Sequence, residues 1–161
     1  DHVLHDLGEF LDPACDLILD GGDCPIGVES TIVDFVSDPP QILRAGGVPA
    51  EDIRRLLGSV VTDASGPSRA SGMLASHYAP SCAVRLVDHA DDAVALRAGT
   101  PNSEILDLSD DLVVYAHDLY ARLRDADARG VGTVIAVLPA PTGLGYAIRD
   151  RLTKAAAPRH G

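Results

Sequence analysis

The sequence has no tryptophan, only two phenylalanines and four tyrosines, and just three cysteines. With so few aromatic side chains, a core must be built from Val, Leu, Ile and Ala, and the hydrophobic content of 46% is enough for one. Cys15, Cys24 and Cys82 are odd in number and have no partner histidine at a metal-motif spacing. This argues against a disulfide scaffold or a zinc site. Free thiols are typical of proteins in the reducing cytosol, so we expect a cytoplasmic protein.

Positive charge is also scarce, since 13 Lys and Arg stand against 24 Asp and Glu, giving a net charge of −11. That balance repels a phosphate backbone, so we expect no broad nucleic-acid-binding face, although a local basic pocket for a small phosphate ligand is compatible with it. No apolar run reaches the roughly 18 residues of a membrane span, and the N-terminus lacks the pattern of a signal peptide. The chain starts at Asp1 rather than Met, and we therefore expect a fragment of a longer protein.

Two short apolar runs, residues 31–36 and 41–43, predict two strands, because a polar and Pro-rich break at residues 37–40 separates them. If these strands pair as a hairpin, the hydroxyls of Ser30 and Thr31 come to the same edge of the sheet as Arg44. The planar donor fork of arginine suits phosphate or carboxylate. The alternative is a surface hairpin with Arg44 in solvent.

Other segments of the first half follow ordinary patterns. Residues 2–10 have the apolar spacing of a short amphipathic helix, and residues 16–20 are a candidate buried strand. Pro49 and two acids favour a helix start there, and Gly58 a stop. Residues 62–76 are rich in Ser, Gly, Pro and Ala and predict a linker. His77 and Tyr78 follow it and either dock on a neighbouring surface or pack within their own loop.

The second half alternates strands with helices. The strand candidates are residues 84–87, 104–108 and 133–138, and helical patterns follow at 91–98, 112–123 and 144–157. This order predicts a parallel α/β sheet. Gly143-x-Gly145 lacks the third glycine of a dinucleotide fingerprint. Asp150 and Arg151 favour local ion pairs or cap contacts over catalysis, and the scattered histidines predict no metal site.

Four blocks together carry a resemblance to a known family. They are Pro25-Ile26-Gly27-Val28-Glu29-Ser30-Thr31-Ile32-Val33-Asp34, Ile42-Leu43-Arg44-Ala45-Gly46, Gly72-Met73 with His77-Tyr78-Ala79-Pro80, and Gly143-Leu144-Gly145-x-Ala147-Ile148-x-Asp150-Arg151-Leu152 with Ala155-Ala156. In this order they resemble the L-threonylcarbamoyladenylate synthases, which join a YrdC-like catalytic domain to a smaller C-terminal Rossmann-like domain. The resemblance implies the C-terminal part of a YrdC-like α/β domain at residues 1–60. It also implies a linker at residues 61–82 and a three-layer Rossmann-like domain with a parallel sheet at residues 83–161.

The resemblance also implies a nucleotidyltransferase reaction. L-Threonine takes up bicarbonate or CO2 to give a carbamate, which attacks the α-phosphate of ATP and releases pyrophosphate. The threonylcarbamoyl-AMP product is passed to the machinery that makes N6-threonylcarbamoyladenosine at position 37 of tRNA. Positioned cations and donors, usually with Mg²⁺ bound to the nucleotide, are what an adenylyl transfer needs from a protein.

By resemblance, Ser30 holds L-threonine, and Arg44, His77 and Tyr78 bind ATP. The His77-Tyr78 segment would cover the cleft and shield the carbamate from water. Two positions depart from the family pattern: Ser71 stands where a Pro usually precedes Gly-Met, and residues 74–76 lack the usual basic and aromatic side chains.

The family's upstream Lys/Arg-bearing ATP motif and Ser-x-Asn segment do not occur in the chain. We therefore expect the 161 residues alone to be inactive, and the first 60 or so to be poorly stable, because a sheet cut there exposes its edges. One alternative is a non-catalytic Rossmann-like regulatory or docking module. A second alternative is a double-stranded-RNA-binding protein, and the excess of acidic residues argues against it.

Overall fold

The computed structural model of the protein describes residues 2–58, 61–63 and 80–158. The first of its two units begins with α1 (His2–Leu7) and a 3-10 turn (Gly8–Phe10), over the residues where a helix is predicted. The predicted hairpin is confirmed as β1 (Ile32–Asp34) and β2 (Gln41–Arg44), which pair antiparallel. The turn between them contains a cis Asp38–Pro39 bond.

Helix α2 (Ala50–Leu57) follows the hairpin and ends at Gly58, as predicted. Its first turn contains Glu51 and Asp52 and its last turn Arg54 and Arg55, a charge order that complements the helix dipole. The short strand β3 (Thr62–Asp63) then pairs parallel with β2, and the sheet order is β1-β2-β3.

One prediction for this unit is wrong. Residues 16–20 do not form a buried strand: Leu17 and Leu19 are 80% and 84% exposed, and no described strand pairs with them. Three consecutive apolar residues between two acids are not enough to make a strand without a neighbour that supplies hydrogen bonds and a face to pack on. The linker at residues 61–82 stays a prediction, and its described start contains β3, in which Thr62 pairs with Gln41. Its residues 64–79 lie outside the described part of the chain.

The second unit is the predicted α/β domain with a parallel sheet. Strands β4 (Ala83–Val87), β5 (Ser103–Leu106) and β6 (Thr133–Val137) alternate with helices α3 (Ala90–Ala98), α4 (Leu112–Ala128) and α5 (Gly145–Ala155). The strand order is β4-β6-β5, and both pairings are parallel. The chain moves across the sheet from β4 to β5 and then back to β6. Right-handed crossovers therefore require α3 and α4 on opposite faces.

The packing shows these three layers. Ile135 and Val137 of the central strand pack with Ala93 of α3 on one face. Val134 and Ala136 point to the other face and pack against α4 and α5 in the larger core, which includes Tyr115, Leu119, Leu123, Ile148 and Leu152. Burial on both faces explains why β6 continues after Thr133 as a run of Val, Ile and Ala. The result is a Rossmann-like three-layer domain.

Among the described residues, no helix is both long and apolar enough to cross a bilayer.

Candidate functional site

The hairpin brings Ser30 and Arg44 together at one edge of the small sheet, as the sequence predicts. Arg44 Nε donates to the carbonyl oxygen of Ser30 at 3.1 Å, and Arg44 Nη2 donates to Ser30 Oγ at 3.2 Å. Arg44 is half-buried and Ser30 is exposed, so the pair lies at the surface of the unit. Arg44 is therefore held in a defined orientation rather than left free in solvent, which is a useful arrangement for recognising an anion.

Thr31 has a different role from its neighbour. Its Oγ1 donates to the carbonyl oxygen of Val48 at 2.6 Å and accepts from the Val48 amide at 3.1 Å. These two bonds tie the start of β1 to the segment that leads into α2. Thr31 is thus used for structure, and Ser30 is the hydroxyl that remains at the exposed edge.

Gly46 allows the two ends of the hairpin to meet. A Cβ at this position would lie 2.3 Å from the Glu29 carbonyl oxygen and 2.5 Å from the Thr31 nitrogen, so no larger residue fits. Next to it, the Gly47 amide donates to the Glu29 carbonyl oxygen at 2.9 Å. The backbone on both sides of Ser30 is fixed by the segment that follows Arg44.

The second unit reaches the same edge through Arg151 of α5, which is completely buried. Its Nε donates to Glu29 Oε2 at 2.8 Å, and its Nη2 donates to the Ala45 carbonyl oxygen at 3.1 Å. Nη1 is paired with Asp150, which also accepts from Lys154 at 2.7 Å. Burial alone would lower the pKa of the Arg151 guanidinium, but the hydrogen bond and charge of Glu29, together with the nearby Tyr120 and Asp150, raise that pKa above its ordinary value.

Sequence reasoning predicted only local ion pairs for Asp150 and Arg151. The pairs of Asp150 with Arg151 and Lys154 confirm that part, whereas the contacts to Glu29 and Ala45 were missed. A signal was available, because Arg151 lies three residues after Ile148 and beside Leu152 in the buried stripe of α5. An arginine in an apolar stripe needs a buried partner, and only the fold shows which partner it has.

The loop before Ser30 also packs on α4. Val28 is only 6% exposed and belongs to the core of the second unit. A Cβ on Gly27 would lie 2.3 Å from the His117 carbonyl oxygen, so only glycine permits this approach. The segment from Gly27 to Glu29, immediately before Ser30, is therefore held in place by contacts with the second unit.

His77 and Tyr78 lie outside the described residues, so their placement over the cleft stays a prediction.

Asp34, considered above only as part of a family block, stabilises the turn that follows β1. Its carboxylate accepts from the Val36 amide at 2.8 Å and from Ser37 Oγ at 2.7 Å.

The described residues contain no cluster of three His, Cys, Asp or Glu side chains that could hold a metal ion. The carboxylate nearest to Ser30 in sequence, Glu29, is already bonded to Arg151. Among the described residues, the hairpin edge therefore offers no carboxylate set that fits a resident Mg²⁺.

An open cavity of about 450 Å³ lies elsewhere, in the second unit, beside the start of β5 and the end of α4. Arg129 lines it and is paired with Glu104 at 2.7 Å and with Asp125 at 2.8 Å. Arg97 also lines this cavity, which is separate from the hairpin edge.

Each of the two units matches a known protein family. The family described as "Threonylcarbamoyl-AMP synthase, C-terminal domain" matches residues 48–157, and the family described as "Telomere recombination" matches residues 2–46. Curated proteins named threonylcarbamoyl-AMP synthase match from Pyrococcus abyssi, at 32% identity over 96% of this chain, and from Bacillus subtilis, at 30% identity over 99%. The chain spans about half the length of these relatives, covering 53% of each.

Solved structures agree with the sequence matches. The crystal structure of P. abyssi Sua5 complexed with L-threonine superposes with a TM-score of 0.73 at 30% identity, over 85% of this chain and 48% of that one. The structure of a P. abyssi Sua5 variant, in which an adjacent histidine and tyrosine are replaced by alanine, gives a TM-score of 0.72. The first family match covers more than half of the sequence, and the fold agrees with it. The chain belongs to the threonylcarbamoyl-AMP synthase family.

Proposed function

We propose that this chain is the C-terminal part of an enzyme that makes L-threonylcarbamoyladenylate from L-threonine, bicarbonate or CO2, and ATP. A carbamate oxygen of N-carboxythreonine attacks the α-phosphorus, the bond from that phosphorus to the bridging oxygen breaks, and pyrophosphate leaves. The product would supply the cytoplasmic formation of N6-threonylcarbamoyladenosine in tRNA. Family membership and a relative crystallised with L-threonine support this function.

The observation that carries the proposal is the joined pair of Arg44 and Ser30 at an exposed edge. A hydroxyl can bind the charged groups of an amino acid, and a guanidinium beside it can bind phosphate. In this proposal Ser30 contacts L-threonine and Arg44 contacts the phosphates of ATP, so that the two substrates meet. Adenylyl transfer depends mainly on such positioning and on charge stabilisation.

His77 and Tyr78 form the sole adjacent His-Tyr pair in the sequence. A P. abyssi Sua5 variant with alanine at an adjacent His-Tyr pair has a solved structure, and we infer that His77 and Tyr78 correspond to that pair and form the ATP-binding flap. In this proposal Mg²⁺ enters with ATP as the counter-ion of its phosphates.

A chimera tests this function. In it, the present chain replaces the matching part of the P. abyssi relative, and pyrophosphate release is measured with each substrate omitted in turn. We expect release that depends on L-threonine, bicarbonate and ATP, and a fall of about a hundred-fold or more in kcat/KM for Arg44→Gln. The matched control is Arg85→Gln, an exposed arginine of β4, which should change little.

A folded chimera without substrate-dependent pyrophosphate release would contradict the proposal and favour the non-catalytic docking module. The 161-residue chain alone should release no pyrophosphate in the same assay.

A further inference from the structure

We propose that Arg151 is a positioning residue through which the second unit sets the geometry of the Ser30–Arg44 edge. The inference rests on the proposed function in so far as that edge binds substrate. It gives the C-terminal domain a defined role, which is to hold the substrate-binding hairpin in its active shape.

The first argument is where the contacts of Arg151 fall. Glu29 immediately precedes Ser30, and Ala45 immediately follows Arg44. One guanidinium therefore bonds to both chain segments that carry the candidate site, at 2.8 Å and 3.1 Å. Its planar fork fixes the distance between the segments, which a single point charge could not do.

The second argument is burial. Arg151 has no exposed surface, and its charge is compensated by Glu29 and Asp150. Removing one partner of a buried charge pair is strongly unfavourable, so the guanidinium cannot readily leave these partners for water. The position of Glu29, and with it the backbone of Ser30, follows from the position of α5.

The third argument is selectivity within the same helix. Arg149 lies two residues earlier and bonds to the Pro139 carbonyl oxygen at 2.8 Å, with Asp88 at 3.6 Å. Both partners belong to the second unit, so these two contacts of Arg149 stabilise that unit and do not involve the hairpin. The two arginines form a matched pair for experiment.

The test observes Arg44 directly in the chimera by nuclear magnetic resonance, without any substrate. The Nε–H of Arg44 donates to Ser30, and its exchange with solvent reports whether that bond persists. We expect Arg151→Met to speed this exchange by about ten-fold or more. Arg151→Lys should give only partial rescue because it keeps the charge and loses the fork, and Arg149→Met should leave the exchange unchanged.

Amide exchange in α4 shows whether the second unit stays folded in each variant. If Arg151→Met unfolds that unit, Glu29→Gln replaces it, since that change weakens the same pair from the hairpin side. An Arg44 Nε–H that exchanges as in the wild type in Arg151→Met, or in Glu29→Gln, while α4 stays protected would overturn the inference.

The chimera separates this inference from the proposed function. In an active chimera, Arg151→Met should raise KM for L-threonine about ten-fold with a smaller change in kcat, and Arg149→Met should not. If Arg44 responds to Arg151→Met but the wild-type chimera is inactive, the positioning role stands and the proposed function fails. If the chimera is active and neither Arg44 nor KM responds, the function stands and the positioning role fails.

Discussion

Cys82 shows how a single residue ties a chain segment to the second unit. The amides of Ser81 and Cys82 both donate to the Asp127 carboxylate at 2.7 Å, which fixes the chain just before β4. The Cys82 side chain is buried at this point. Burial, followed by the hydrogen bond and charge of Asp127, raises the pKa of its thiol from 9.0 to about 11.

This shift predicts a loss of stability in alkali. The unfolded thiol ionises near pH 9 and the folded one near 11, so the contribution of Cys82 is complete below pH 9 and is lost as the pH rises through about 11. Burial also raises the pKa of the Tyr115 hydroxyl, which lowers stability in alkali in the same way. A Cys82→Ala variant keeps Tyr115 and removes only the thiol, so it isolates the contribution of Cys82.

Urea unfolding of both proteins at about pH 8 and about pH 11 measures the difference. We expect the wild type to lose more free energy of unfolding than Cys82→Ala over this range. An equal loss in the two proteins would show that the thiol does not contribute.

Within the site, contacts between residues that are close in sequence could be predicted from the sequence. Ser30 and Arg44 lie 14 positions apart on one hairpin, and strand pairing is enough to bring them together. Glu29 and Arg151 lie 122 positions apart, and their contact depends on how α5 packs against the first unit. No local pattern contains that information.

At the scale of elements, α4 is the helix that the sequence determines most fully. Its apolar positions recur with helical spacing and form the buried face, including Tyr115, Leu119 and Leu123. Asp111 is its N-cap, and one carboxylate oxygen accepts from the Val113 and Val114 amides at 2.9 Å and 3.1 Å. The residues of the helix and its cap all favour the same structure.

Replacing Asp111 by alanine should lower the free energy of unfolding by about 1 kcal/mol, because two amide donors at the helix start lose their acceptor. Asp110→Ala is the matched control, since it removes the same charge from the neighbouring exposed position. Chemical denaturation followed by circular dichroism measures both variants. Equal stability of the two variants would contradict the capping role.

The strands that were predicted correctly and the one that was not differ in their surroundings. Residues of β6 are buried on both faces, so a run of Val, Ile and Ala is required there by the fold. Residues 16–20 also contain an apolar run, of three residues, but have no pairing strand in the described part of the chain. An apolar run thus indicates a strand only when other elements provide a sheet for it.

At the scale of the whole molecule, the two units differ in how well they bury apolar surface. Most of the large exposed hydrophobic side chains lie before residue 58, and the most exposed of them are Phe10, Leu17, Leu19, Val36 and Leu56. The second unit has a core on each side of its sheet. Poor stability of the first 60 or so residues stays a prediction, and this exposure is its physical reason.

The contact between the units explains how the smaller one is held nevertheless. Val28 enters the core of the second unit, Gly27 lies against α4, and Arg151 is buried against Glu29. In addition, the Gly143 amide donates to Glu51 of α2 at 3.4 Å. The loop that carries Ser30 is therefore part of the interface, which places the candidate site where both units can influence it.

The most direct test of this account is the affinity of the chimera for L-threonine, measured by calorimetry with and without Ser30→Ala. Loss of a hydrogen bond to a charged ligand predicts binding weaker by about ten-fold or more. The control is Ser81→Ala, which removes an exposed hydroxyl and keeps the backbone amide bonded to Asp127. Equal affinities of the wild type and Ser30→Ala would contradict the placement of L-threonine at the hairpin edge.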